Sequence, residues 1–115
     1  MKNTENVKIA VKALDEKKAF DIQVIDIGDL SILGDFLVIA TGTSTTHVNA
    51  LADEVEFKLS EKGLEPSHIE GRNTPWVLLD YGDMMVHVFM KDARNFYALE
   101  RLWSDGKQLD TKDFM

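Results

Sequence analysis

At 115 residues the chain holds one domain and too little sequence for two well-cored ones. Hydrophobic residues at 44% against 29% charged exclude a disordered chain, and the lack of cysteine excludes disulfides, thiolate metal sites and a cysteine nucleophile. Thirteen basic residues against twenty acidic ones leave a formal charge of −7, which speaks against a binder of nucleic-acid backbone and suits a basic protein partner. The same charge also keeps a small protein soluble. No apolar run approaches the roughly 20 residues of a membrane helix. Met1 to Asn6 carries an acid and no apolar stretch, so a cytoplasmic location is expected.

A first helix is predicted to start near Thr4, with Val7, Ala10, Val11 and Leu14 as its apolar stripe. From Ala19 to Ile27 the pattern alternates, Phe20, Ile22 and Val24 pointing one way and Asp21 and Gln23 the other, which is a strand. Gly28 and Asp29 break it. Phe36 to Ala40 is a continuous apolar run that fits a central strand covered on both faces. Gly42-Thr43-Ser44 ends that run and caps a long helix, from about Thr45 to Lys62, whose buried stripe is Val48, Leu51, Ala52, Val55 and Leu59. Gly63 stands where a glycine cap belongs. A short strand at Ser67 to Glu70 has little pattern behind it. Trp76 to Tyr81 and Met84 to Met90 then flank Gly82-Asp83, a hairpin with a two-residue loop. Asp92 is placed to cap a third helix with Phe96, Leu99 and Trp103 on one face. Residues 1–103 are thus read as one domain, and residues 104–115 as a polar, mobile tail anchored only by Leu109 and Phe114. The expected fold is α/β, a mixed sheet of four or five strands with packed helices, the second helix acting as a crossover.

Candidates for chemistry are few. The turn Thr41 to Thr46 joins a strand to a helix N-terminus, a position suited to anions, but it has one glycine and no phosphate-binding lysine, and capping explains Thr43 and Ser44. His47, His68 and His87 show no metal-ligand spacing on one helix. No nucleophile-elbow pattern surrounds Ser44 to make a triad with His47. Asp80 and Asp83 bracket the hairpin turn; as a pair they could hold Mg²⁺, yet turn formation accounts for both. No catalytic set, metal or cofactor is expected.

The hairpin is the most informative segment. With Gly82-Asp83 as its loop, Asp80 faces Met85, Leu78 faces His87 and Trp76 faces Phe89. One side is then Val77, Leu79, Tyr81, Met84, Val86 and Val88, a core face. The other is Trp76, Leu78, Asp80, Met85, His87 and Phe89, aromatics mixed with a carboxylate and an imidazole. Such a surface suits a partner's contact, and it equally suits a place beneath a helix with Asp80 at the rim.

Several stretches in order carry a resemblance to a known family. They are Asp21 to Asp26, Asp35 to Ser44, His47-Val48, Leu51 to Val55, Glu70-Gly71 and, above all, Trp76-Val77-Leu78-Leu79-Asp80-Tyr81-Gly82-Asp83-Met84-Met85-Val86-His87-Val88-Phe89. Ala93-Arg94, Phe96-Tyr97, Leu99-Glu100 and Leu102-Trp103 continue the series. From about Ala10 to Ser104 the chain resembles the ribosomal silencing factor, or Iojap-related, family. The resemblance implies a nucleotidyltransferase-like topology without the catalytic site. It also implies binding to ribosomal protein fourteen of the large ribosomal subunit, where the family blocks joining of the small subunit and represses translation in nutrient shortage. Members form homodimers when free, and contact with ribosomal RNA is at most marginal. On this basis Trp76, Leu78, Asp80, Tyr81, Asp83 and His87 are expected to touch the ribosomal protein.

Overall fold

The computed structural model describes residues 4–28, 35–97 and 106–114, with the backbone alone at 95–97. Helix α1 (Thr4–Glu16) buries Val7, Ala10, Val11, Ala13 and Leu14 along one stripe. It ends where Lys18 turns left-handed, with φ +64°, and the Ala19 amide bonds back to the Leu14 carbonyl. Strands β1 (Phe20–Asp26) and β2 (Phe36–Gly42) pair antiparallel, and β2 is buried along its whole length. Helix α2 (Thr45–Ser60) begins at Ser44, whose Oγ accepts the His47 amide at 3.0 Å, and buries the five-residue stripe read from its spacing. Gly63, at φ +79°, turns the chain out of it, and the Leu64 amide closes on the Leu59 carbonyl.

Strand β3 (His68–Glu70) follows, then the hairpin of β4 (Trp76–Asp80) and β5 (Met84–Met90). The hairpin has the register its loop predicts, Asp80 opposite Met85, Leu78 opposite His87 and Trp76 opposite Phe89, with Gly82 at φ +84°. Helix α3 (Lys91–Tyr97) leaves β5 directly, so Asp92 lies in its first turn rather than at its cap. Strand β6 (Lys107–Leu109) pairs antiparallel with β1, and a 3₁₀ turn at Thr111–Phe114 follows.

The sheet order is β3-β4-β5-β2-β1-β6. Strands β2 and β5 run parallel and the neighbouring pairs run antiparallel. Helix α2 is the crossover, carrying the chain from β2 to the edge strand β3, after which β4 and β5 fill the gap. Helices α1 and α2 share a main core with the sheet residues Val24, Val38, Ala40, Val77, Leu79, Val86 and Val88. On the opposite face Ile25, Ile27, Leu37, Ile39 and Phe89 form a second core, with Ala93 of α3 packed against it. Apolar residues on both faces of β2 explain its unbroken hydrophobic run.

Three sequence expectations need correction. The sheet has six strands, not four or five: the weakly patterned strand at Ser67 to Glu70 is present as β3, and β6, three residues long, is too short to show alternation. The tail from residue 104 is not a free appendage over its described part: β6 joins the open edge of β1, and Phe114 is buried in the main core. Phe20 does not share the face of Val24. The β1–β2 register slips between Phe20 and Gln23, Asp21 takes φ +49°, and the Phe20 ring is turned outward, 54% exposed. The expected helix face of Phe96, Leu99 and Trp103 lies outside the described side chains.

Candidate functional site

Cross-strand pairing sets the geometry of the hairpin surface. Residues paired across a ladder point to the same side, so the rows Glu70–Leu78–His87–Ile39 and His68–Asp80–Met85–Leu37 run across one face of the sheet. Trp76 and Phe89 begin a third row. Helices α1 and α2 lie on the other face, against Val77 and Leu79. Exposure therefore grades along each row. Ile39 and Leu37 are fully buried and His87 is 7% exposed; Leu78, Asp80 and Met85 are half-buried, and Glu70 and His68 are open to solvent. The β2 column and His87 of β5 are thus covered, while Met85 and the residues of β4 and β3 on this face stay partly or fully exposed.

Trp76 is the best-defined member. Its Nε1–H donates to His87 Nδ1 at 3.0 Å, and its ring stacks on Phe89 with centroids 4.9 Å apart. His87 lies nearly parallel to Phe89, at 8° and 6.0 Å. Because Nδ1 accepts, the imidazole is neutral and carries its proton on Nε2. Burial pushes the His87 pKa down to about 4. The aromatic group is therefore an uncharged unit at neutral pH.

Asp80 has two partners. One carboxylate oxygen accepts the Gly82 amide at 2.9 Å and the other stands 3.5 Å from His68 Nε2. It is a turn acceptor, as read from the sequence, and it still lies half-exposed on the hairpin surface. The Asp83 carbonyl accepts the amides of Asp35 and Phe36 at 2.8 and 3.0 Å, which fixes the hairpin tip to the start of β2. Arg72, the nearest arginine in sequence, is drawn away to the α2 carboxylates of Asp53 and Glu56. The β3–β4 margin thus keeps an acidic character.

The structure brings together Trp76, Leu78, Asp80 and His87, with Asp83 at the adjoining turn. Tyr81 does not join them. It points to the helix-covered face, 7% exposed, and its buried hydroxyl has no hydrogen-bond partner among the described residues. Alternation had placed it on the core side, and that reading is the correct one. Spacing had already put Met85 on this face, but it missed His68 and Glu70 as members of the surface, and only the β3–β4 pairing could have revealed those two.

The strand-to-helix turn is occupied by its own contacts. His47 Nδ1 accepts the Thr43 amide at 2.9 Å, while Nε2–H donates to the Lys17 carbonyl at 2.8 Å. The Ser44 hydroxyl is the cap of α2. Both side chains are thus engaged in local structure. A cleft of ≈ 520 Å³ lies beside this turn, between the ends of β2 and β5, lined by Phe20, Asp21, Thr41, Gly42, Thr43, Met90, Lys91 and Asp92. The buried Arg94 donates to the Asp21 carbonyl at 2.7 Å and to Thr41 Oγ1 at 2.6 Å, tying α3 to the β1 bulge. Among the described residues no group of three or more carboxylates and histidines is placed to hold a metal, and no helix is long and apolar enough to cross a membrane.

Comparison with known proteins supplies the family. The profile described as "Ribosomal silencing factor during starvation" matches residues 1–115. The Ribosomal silencing factor of Halalkalibacterium halodurans is 40% identical over 111 residues, spanning 96% of this chain and 95% of that one. A crystal structure of a Chromobacterium violaceum protein superposes with a TM-score of 0.87 at 39% identity, covering 90% of this chain and 88% of that one. A more distant mouse relative, 31% identical over 103 residues (86% of this chain, 45% of that one), is named Mitochondrial assembly of ribosomal large subunit protein 1. These relatives are named as ribosomal factors and not as enzymes. With a family profile matched from end to end and a mixed α/β sheet shared with a solved relative, the chain belongs to the ribosomal silencing factor family.

Proposed function

We propose that the chain is a cytoplasmic translation repressor that binds the large ribosomal subunit through ribosomal protein fourteen and sterically prevents joining of the small subunit, notably in nutrient shortage. Trp76, Leu78 and Asp80, with Asp83 at the turn, make the contact, to which His87 contributes through its bond to the Trp76 indole. The observation that carries this reading is the half-exposed Trp76–Leu78–Asp80 surface, which has rigid aromatic backing and an acidic margin on a chain of charge −7. Aromatic anchors in a polar rim are the usual composition of a docking patch, and the acidic margin complements a basic ribosomal protein. Free in solution the protein is a homodimer, and a nucleotidyltransferase-like ancestry of the fold belongs to the same reading.

The test is sedimentation of the purified protein with separated subunits, followed by reassociation. The protein is expected on the large subunit and the joined ribosome is expected to be depleted. Trp76→Ala removes the anchor and should weaken binding by about thirtyfold, equivalent to roughly 2 kcal/mol. A folded Trp76→Ala protein with unchanged affinity excludes this surface. The cleft at Thr41–Thr43 favours one other reading, nucleotide binding beside the Gly42 to Thr46 turn. Thermal stabilisation by Mg²⁺-nucleotide would support it, and its absence at saturating nucleotide would remove it.

A further inference from the structure

At its outer edge the hairpin surface drops into a smaller cleft of ≈ 270 Å³, lined by Glu70, Gly71, Trp76 and Leu78. Glu70 is the last residue of the edge strand and pairs with Leu78, so its carboxylate rises on the same side as the indole. Gly71, at φ +85°, brings the chain back so tightly that a Cβ there would stand 2.0 Å from the Trp76 carbonyl oxygen. The walls are therefore chemically distinct: an aromatic ring, an aliphatic side chain and one exposed carboxylate. Among the described residues no cation pairs with Glu70, since Arg72 is held by Asp53 and Glu56. The aromatic wall does not need to be ordered by a partner, because His87 and Phe89 already hold it.

We propose that this cleft receives one lysine or arginine side chain of the partner protein, its methylenes against Trp76 and Leu78 and its charge at Glu70, and that His87 is the positioning residue that keeps the indole in place to receive it. The inference rests on the reading that the β4–β5 surface docks on a basic protein, and it names the chemistry of one contact within that surface. A long cationic side chain is the occupant that satisfies every wall. Its stem covers apolar surface while its head stays polar, and a cation beside an indole gains a further attraction. An apolar plug would strip water from Glu70 without replacing it, and a phosphate would meet the carboxylate's like charge. The cleft lies at the small end of ligand-site volumes and is large enough for one extended side chain. His87 acts through Trp76: with Nδ1 accepting the indole proton, the ring has a fixed orientation before the partner arrives, so less freedom is lost on binding.

Affinity of the full chain for purified large subunits, measured at low and high salt, tests both parts. Glu70→Gln keeps the shape and removes the charge; it should lower affinity roughly tenfold at low salt and flatten the salt dependence, and Glu70→Arg should lower it further. His87→Phe should weaken binding and move the indole Nε1–H resonance of Trp76. His87→Asn, whose Oδ1 can take the place of Nδ1, should restore that resonance and most of the affinity. With Trp76→Phe already present, where there is no indole proton to hold, His87→Phe should cost nothing more. If Glu70→Gln binds with the affinity and salt slope of the parent while Trp76→Ala has lost binding, the cationic contact is wrong and the docking surface stands. Should Trp76→Ala also bind normally, the surface falls with it. An equal loss from His87→Phe in both backgrounds would show that His87 supports the fold and not the indole.

Discussion

Tyr81 and His87 are buried on opposite faces of the hairpin and carry opposite consequences. The Tyr81 hydroxyl was taken out of water without gaining a partner among the described residues, and burial, then the nearby Glu56 and Glu65, push its pKa up. Removing that hydroxyl should relieve the burial. Tyr81→Phe is expected to raise stability by about 1 kcal/mol in denaturant unfolding and to leave large-subunit affinity unchanged. A less stable variant would mean that the hydroxyl has a favourable role. His87 is buried as the neutral ring, its pKa lowered from 6.5 to about 4. The unfolded chain therefore takes up a proton that the native state refuses as the pH falls from 6.5 to 4. The stability from this group is complete above pH 6.5, and about 3 kcal/mol of it is lost by pH 4. Urea midpoints followed across that range should fall more steeply for the parent than for His87→Phe; parallel slopes would assign the acid sensitivity to other groups.

Among the elements, the hairpin and the two long helices were legible in the order of residues, the edge strand β3 was only faintly so, and β6 was not. A two-residue loop opened by glycine sets its own register, so Trp76–Phe89 and Leu78–His87 follow from local chemistry. The stripe of α2 repeats over 16 residues and needs no partner to be recognised. Strands β3 and β6 exist because β4 and β1 offer unpaired edges, and three residues of alternation carry no such information. The C-terminal turn is a case with a measurable consequence. Phe114 fills space in the core it shares with α1, so Phe114→Ala should destabilise the protein by about 3 kcal/mol. A variant as stable as the parent would return this segment to the status of a loose tail.

On the proposed reading the whole molecule acts by occupancy. Repression then follows mass action: it should saturate with bound large subunit, be relieved by excess small subunit, and reverse on dilution. Light scattering of subunit joining measures all three, and inhibition that survives dilution after the protein has dissociated would contradict the mechanism. A crosslinked homodimer that binds as well as free protein would show that the dimer contact lies elsewhere; loss of binding would show a shared surface.

Residue types, their local spacing and the turn chemistry were enough for the α/β class, the central strand, the capped helix, the hairpin register and the family, because each of these is written between neighbours in the chain. The placement of α1 and α2 against Val77 and Leu79, the bond from Trp76 to His87 and the arrival of Glu70 beside them could not be read that way. They depend on which face of the sheet the helices cover and which strand pairs at each edge, and those choices are settled by packing among residues far apart in sequence.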